Sequence, residues 1–363
     1  MPPIPDHHRK HLSGYRMPAE WEPHLATYIV WPHNLDTWPG NFDPIPGVFA
    51  KMAAAIASFE PLRVLIKHPD QIETVRAMIR EAARDEAGMA RVELFRLDTN
   101  DSWIRDYGPI FVNRTDLRGP GPRQIALDWH FNSWGQKYGA FDLDDVVPRQ
   151  LGARYHFETI TPDIVLEGGS IDPNGAGTLM TTESCLLNRN RNPHLTRDQI
   201  EDYLKSYLGV NKILWLGNGI AGDDTDGHID DLARFVARDT VVTVVEKDPA
   251  DVNYRALQDN LARLRTMHDE RGAALKVETL PMPPALVYEG TRLPASYANF
   301  YIANGAVVMP TFACPADAVA TATLSRLFPG RQVVGIPATE LVWGLGAVHC
   351  LTQQHPAIAS PNQ

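Results

Sequence analysis

The sequence predicts an α/β fold on three observations: apolar residues recurring at helical spacing, short β-rich runs between those segments, and turn residues scattered along the whole chain. Pro46 to Phe59 carries the first helical pattern, and the β-rich run Leu62 to Lys67 follows it directly. Asp70 to Arg84 repeats the helical period ahead of a second β-rich run, Val92 to Leu97. Thr196 and Gln199 form a capping-box pair that opens a helix over Asp198 to Leu208. Beyond it, Thr240 to Glu246 reads as strand, Asn253 to Met267 as helix and Phe300 to Pro310 as strand. Pro315 to Phe328 then reads as helix and Gln332 to Ile336 as strand. The 29 prolines and 26 glycines collect into no linker, so residues 1–363 are expected to form one domain. No Gly-rich phosphate loop follows the first strand, and no fixed-period repeat stands out.

With 44% hydrophobic and 21% charged residues the chain has the composition of a folded globular protein. Its formal net charge of -10 disfavours nonspecific nucleic-acid binding and favours cationic ligands. No run approaches the roughly 18 apolar residues of a membrane span. The start, Met1 to Lys10, is polar and lacks a secretory apolar core, which places the protein in the cytoplasm. Three widely separated cysteines, Cys185, Cys314 and Cys350, make no disulfide framework and leave thiol chemistry open. The oligomeric state is not fixed by the sequence, and a homo-oligomer is left open.

Five islands carry chemically suggestive residues. In DSWIRDYGP, Asp101 to Pro109, Trp103 stands three residues before Asp106, a pairing that could hold a planar cation by stacking and bidentate hydrogen bonding. The bland alternative is an Arg105–Asp106 ion pair under a core tryptophan. LEGGS, Leu166 to Ser170, sets Glu167 before two glycines that permit close backbone approach, and such an acid could orient a histidine. GDDTDGHIDDLARF, Gly222 to Phe235, surrounds His228 with five aspartates; on an extended loop His228 and Asp230 would take neighbouring roles. A metal site is the rival reading there, but EF-hand spacing, its closing Glu and a second histidine at zinc-ligand spacing are missing. GLGAVHCLTQQ, Gly344 to Gln354, holds Cys350 after a glycine turn, while His349 would point the other way along an extended chain and makes a poor base. The fifth island, RMPAEWEPHLATYIVWPHN from Arg16 to Asn34, reads as rim or packing. Cys185 and Cys314 read as core packing.

A cysteine, a histidine and a surplus of carboxylates leave two reaction classes, acyl transfer and attack on an amidine-type carbon. A cysteine peptidase needs no surplus of acids, whereas a protonated guanidinium must be gripped by carboxylate forks.

RMPAEWEPH, WIRDYGP, EGGSI, TDGHIDDLARF, SYANFYIANG and HCLTQQ, in this order from Arg16 to Gln354, resemble the agmatine deiminase family. The family includes a secreted bacterial peptidylarginine deiminase branch. The resemblance implies a pentein-type α/β propeller, five ββαβ-like modules around a pseudo-fivefold axis with the active site in the central channel. It implies Cys350 as nucleophile, His228 as general acid/base, and Glu167 as the carboxylate that orients His228. Asp106 and Asp230 would clamp the guanidinium nitrogens, and Trp103 would stack on its plane. The implied reaction is hydrolysis of a small cationic guanidino compound, agmatine first, through a Cys350 thiouronium, with no metal or organic cofactor. The alternatives are another small guanidine, a (peptidyl)arginine, or a guanidinium-binding protein without turnover. GLGAVHC departs from the run of glycines followed by Asn that many members carry, with Leu345 and Ala347 in its place, which bears on substrate choice.

Overall fold

A β-hairpin, a helix, and a strand that returns parallel to the hairpin's second strand make up the recurring unit of this molecule. The computed structural model describes residues 12–83, 86–116 and 119–358. The polar start Met1 to Lys10, and Arg84 at the end of the second predicted helix, therefore lie outside the described residues. In the first unit Ile110–Arg114 pairs antiparallel with Gln124–Leu127, the helix Val147–Tyr155 crosses over, and Glu158–Ile160 pairs parallel. Asp172–Pro173, Thr178–Thr182, the helix Arg197–Leu208 and Lys212–Leu216 repeat the plan. Ala233–Ala237, Thr240–Val245, Tyr254–Leu264 and Lys276–Pro281 repeat it again. So do Tyr301–Ile302, Ala306–Thr311, Ala316–Leu327 and Gln332–Pro337. The fifth unit joins distant parts of the chain: Gln353–Pro356 pairs antiparallel with His24–Val30, and after the helix Ile45–Ala57 the strand Leu62–Ile66 pairs parallel. A parallel pair cannot be closed by a tight turn, so each unit needs its crossover helix.

The middle strands are covered on both faces: Thr178–Thr182 and Thr240–Val245 are buried at nearly every position and carry only apolar residues and threonines. Helix Ile72–Ala82 buries Val75 and Ile79 fully and packs Ile72, Met78 and Ala82 partly against the core, whereas Ile45–Ala57 is apolar nearly all round and lies deep. The capping box at Thr196 and Gln199 is formed in both directions. Phe300 to Pro310, expected as one strand, is two strands joined by a turn at Asn304 and Gly305. The unit plan did not show as a sequence period because its loops differ in length while only the pairing order repeats. Among the described residues no helix is long and apolar enough to cross a membrane.

Candidate active site

The segment just ahead of each unit's first strand supplies one face of a common site. Asp106 precedes Ile110–Arg114, Glu167 precedes Asp172–Pro173, and His228 and Asp230 precede Ala233–Ala237. Asn299 precedes Tyr301–Ile302, and Cys350 precedes Gln353–Pro356. These segments are single turns: Ile104–Tyr107, Gly168–Ser170 and Ile229–Asp231 are each one short helical turn. His228 and Asp230 thus sit on a tight turn and not on the extended loop expected for them. They meet beneath a cavity of about 840 Å³ lined by Trp103, Asp106, Trp134, Asp224, Trp343 and Cys350.

The Cys350 sulfur accepts a hydrogen bond from Asn299 Nδ2 at 3.0 Å and lies 3.6 Å from Asp230 Oδ2. Burial, together with Asp230, Asp231 and Asp106, pushes the thiol well above its usual range, so it is protonated at rest. His228 is fully buried, with Nδ1 3.7 Å from Asp106 and 4.0 Å from Asp230, and Nε2 3.9 Å from Glu167. Burial pulls the imidazole down, but Asp106, Cys185 and Glu167 beside it more than offset this and hold it raised, as a cation. Glu167 suffers the same burial, yet Arg191 Nε at 2.6 Å and the facing His228 keep it below the usual carboxylate range.

Asp106 accepts from Gly169 N through Oδ1 at 2.9 Å and from Trp134 Nε1 through Oδ2 at 2.9 Å. Burial, with Asp230 and Glu167 nearby, still raises it to about 6. Gly169 lies at the middle of the cluster: a Cβ there would come within 2.6 Å of His228 Nδ1 and 2.8 Å of Asp106 Oδ1. Asp230 accepts from His349 Nδ1 through Oδ2 at 2.7 Å, while its Oδ1 has no hydrogen-bond partner among the described residues. Trp103 lines the cavity with its ring against Trp38 and the loop Gly344–Gly346, where a Cβ on Gly346 would reach 2.5 Å from the indole. Between those glycines, Leu345 holds φ +67, a left-handed conformation that an L side chain adopts at a cost of roughly 1 kcal/mol.

All six residues singled out from sequence therefore lie together. Arg105 does not pair with Asp106; it reaches Gln354 Oε1 at 2.7 Å and Glu20 at 3.6 Å. His349 is held away from the sulfur, its Nδ1 on Asp230 and its Nε2 2.7 Å from Glu20 Oε2. In the Asp-rich loop, Asp223 accepts from Thr225 N and His228 N, Asp226 binds Arg191 and Lys137, and Asp231 accepts from Asn299. Four contributors escaped the sequence reading. Glu20 from the rim-like island supports His349, Asn299 touches the sulfur, Arg191 braces Glu167, and Trp134 binds Asp106. Asn299 fell inside the quoted SYANFYIANG motif, and its place ahead of a strand is the signal that could have found it. Trp134 sits in a turn whose residues 133–136 all have positive φ, strain of a kind concentrated at functional sites. Cys185, expected as core packing, faces Glu167 Oε2 at 4.0 Å.

Comparison with known proteins matches residues 16–356 to the family described as Porphyromonas-type peptidyl-arginine deiminase. The chain is 41% identical to an agmatine deiminase of Pseudomonas aeruginosa, with 95% of this chain and 96% of that one covered. A structure of the agmatine deiminase of Enterococcus faecalis superposes with a TM-score of 0.86 at 34% identity, over 95% of this chain and 97% of that one. A C. jejuni agmatine deiminase with substrate bound superposes at 0.84 with 31% identity, over 95% and 97%.

Proposed function

The chain belongs to the Porphyromonas-type peptidyl-arginine deiminase family, and from that membership we infer that it is an agmatine deiminase, converting agmatine and water to N-carbamoylputrescine and ammonia. The observation that carries the reading is the convergence of one thiol, one imidazolium and three carboxylates from four units under one cavity. A carboxylate surplus suits a cation, and a guanidinium seated between Asp106 and Asp230 supplies the positive charge that the resting thiol lacks.

The chemistry follows from those protonation states. Substrate binding lets the Cys350 proton leave to solvent, and the thiolate forms a C–S bond to the guanidinium carbon. His228, already protonated, gives its proton to the departing nitrogen; the C–N bond breaks, and ammonia leaves a thiouronium on Cys350. Neutral His228 then takes a proton from water, whose oxygen bonds to the same carbon. The C–S bond breaks, the new hydroxyl's proton goes to sulfur, and the ureido product departs with His228 protonated again. Glu167 and Arg191 hold the imidazole throughout, and Trp103 stacks on the guanidinium plane. Asp224 and Glu289, which also line the cavity, suit the far ammonium of agmatine better than a carboxylate.

Five sheets of three or four strands, with one unit plan repeated among them, support the arrangement expected from the resemblance: one catalytic domain folded as a pentein-type propeller around this site. A cytoplasmic location fits a small soluble substrate. The test is release of ammonia and ureido product from agmatine, arginine, a blocked arginine peptide and simple guanidines, with wild type beside Cys350→Ser. Turnover of agmatine above the others, abolished in the variant, is the expected result. Preference for another guanidine overturns the substrate, and agmatine binding without ammonia release overturns the enzyme.

A further inference from the structure

His228 has a second thiol beside it that the deimination chemistry leaves unused. Cys185, on the turn Glu183–Leu186, is fully buried, and its sulfur lies 4.0 Å from Glu167 Oε2. The donor atoms of Cys185, Glu167 and His228 all lie within 4.8 Å of one another. His228 Nε2, also fully buried and 3.9 Å from the same carboxylate oxygen, has no hydrogen-bond partner among the described residues. A buried imidazole nitrogen that makes no hydrogen bond among the described residues and faces a thiol and a carboxylate is an arrangement that can take a cation in place of its own proton.

We propose that Glu167, Cys185 and His228 form a site for a borderline-soft divalent cation of the Zn²⁺ class, whose occupancy switches the enzyme off. The donor set is one sulfur, one nitrogen and one oxygen, which suits zinc and cobalt and is foreign to calcium and magnesium, which take oxygen ligands. Around a tetrahedral ion with bonds of about 2.0–2.3 Å the ligand atoms stand roughly 3.3–3.7 Å apart, so the two separations to Glu167 need to close by about half an ångström and that between Cys185 and His228 by up to about one. Charge is matched as well: a Cys185 thiolate and the Glu167 carboxylate together balance a divalent ion, with His228 neutral. Arg191 occupies Glu167 Oε1 at 2.6 Å and leaves Oε2 to the metal, fixing the ligand from outside the site. Binding displaces the Cys185 proton and the His228 proton to solvent, and no electron is transferred. With Nε2 bound to the ion, His228 cannot become an imidazolium, so Nδ1, which faces Asp106 and Asp230, has no acidic proton to hand to the departing nitrogen. Full burial makes entry slow, so inhibition develops over time.

The test does not depend on which guanidine is the substrate. Co²⁺ is titrated into full-length Cys350→Ala, which lacks the nucleophilic thiol. A thiolate-to-cobalt absorption band saturating at one equivalent is expected, kept when Cys314→Ser is added and lost when Cys185→Ser or Cys185→Ala is added. Thermal melts accompany each variant, and the Cys185 variant that melts like its parent is the one scored. In the otherwise wild-type enzyme, Zn²⁺ should block ammonia release reversibly by EDTA, and the matching Cys185 variant should need at least about tenfold more metal. Absence of a cobalt band, its survival without Cys185, or unchanged zinc sensitivity in the Cys185 variant overturns the proposal.

Discussion

Asp106 and Asp230 are both buried carboxylates within 4.0 Å of one histidine nitrogen, yet their surroundings drive them in opposite directions. Asp106 accepts hydrogen bonds only from neutral donors, a backbone N–H and an indole N–H, and desolvation, with Asp230 and Glu167 nearby, raises it to about 6 despite the His228 imidazolium 3.7 Å away. Asp230 is desolvated to the same degree, but His349 on its Oδ2, the nearby His228 and Arg234 hold it low. Behind Asp230 lies a buried charged layer in which Glu20 meets His349 at 2.7 Å, Arg234 at 2.9 Å and Arg105 at 3.6 Å. Two neutral hydrogen bonds and one imidazolium do not offset the desolvation of Asp106 and its like-charged neighbours, whereas the further cationic partners of Asp230 do. One arm of the clamp is thus permanently charged from behind, and the other becomes fully charged only near neutral pH or when a cation arrives.

The largest effects should come from neutralising each arm in turn. Asp106→Asn and Asp230→Asn should each lower kcat/KM for agmatine by about 100-fold or more, close to 3 kcal/mol, but their melts should diverge. Asp230→Asn leaves the cationic layer short of a partner and should cost about 3 kcal/mol. At pH 8, Asp106→Asn should be neutral or stabilising by about 1 kcal/mol. Holding Asp106 ionised costs the fold roughly 3 kcal/mol above pH 6, and a mispaired amide returns part of that cost. The sign follows from the raised value: between about pH 4 and 6 the native state holds a proton that the unfolded chain has lost, so this group's contribution to stability falls as pH rises through that window. Equal melting losses in the two variants would break the comparison.

A middle-sized effect should follow from His349→Asn, which reaches the proposed clamp through Asp230. We expect kcat/KM to fall about 30-fold, with the acid limb of its pH profile moving upward as Asp230 joins Asp106 in titrating; a loss of activity with an unmoved limb would make His349 merely structural. The smallest should come from Trp134→Phe, which removes one neutral donor from Asp106. In wild type, kcat/KM should fall about tenfold per pH unit below about 6; in Trp134→Phe this limb should shift up by about half a unit, with roughly threefold lower activity at pH 5 and little change at pH 7.

Local signals were legible in the sequence. The capping box at Thr196 and the helix period of Ile72–Ala82 depend on neighbours within one or two turns, and both were read close to their bounds. The hairpin inside Phe300 to Pro310 was missed because strand-forming residues on both sides masked the Asn304–Gly305 turn. The site residues were readable through their motifs, which fix identity at each island, and not through any pattern that joins the islands. Nothing local marks Glu20 as His349's partner 329 residues away, Arg191 as the brace of Glu167, or Trp134 as a donor to Asp106. Those roles exist only after the units come together.

The pairing of Gln353–Pro356 with His24–Val30 sets an order on biosynthesis. Strand His24–Val30 leaves the ribosome early and waits for its antiparallel partner through the synthesis of the four intervening units. Cys350, the proposed nucleophile, stands three residues ahead of that partner and emerges after all four of those units. A ribosome stalled between Asp230 and Cys350 holds a chain with both proposed clamp carboxylates but without the proposed nucleophile, so such a partly made copy has no thiolate at the site to attack a guanidine.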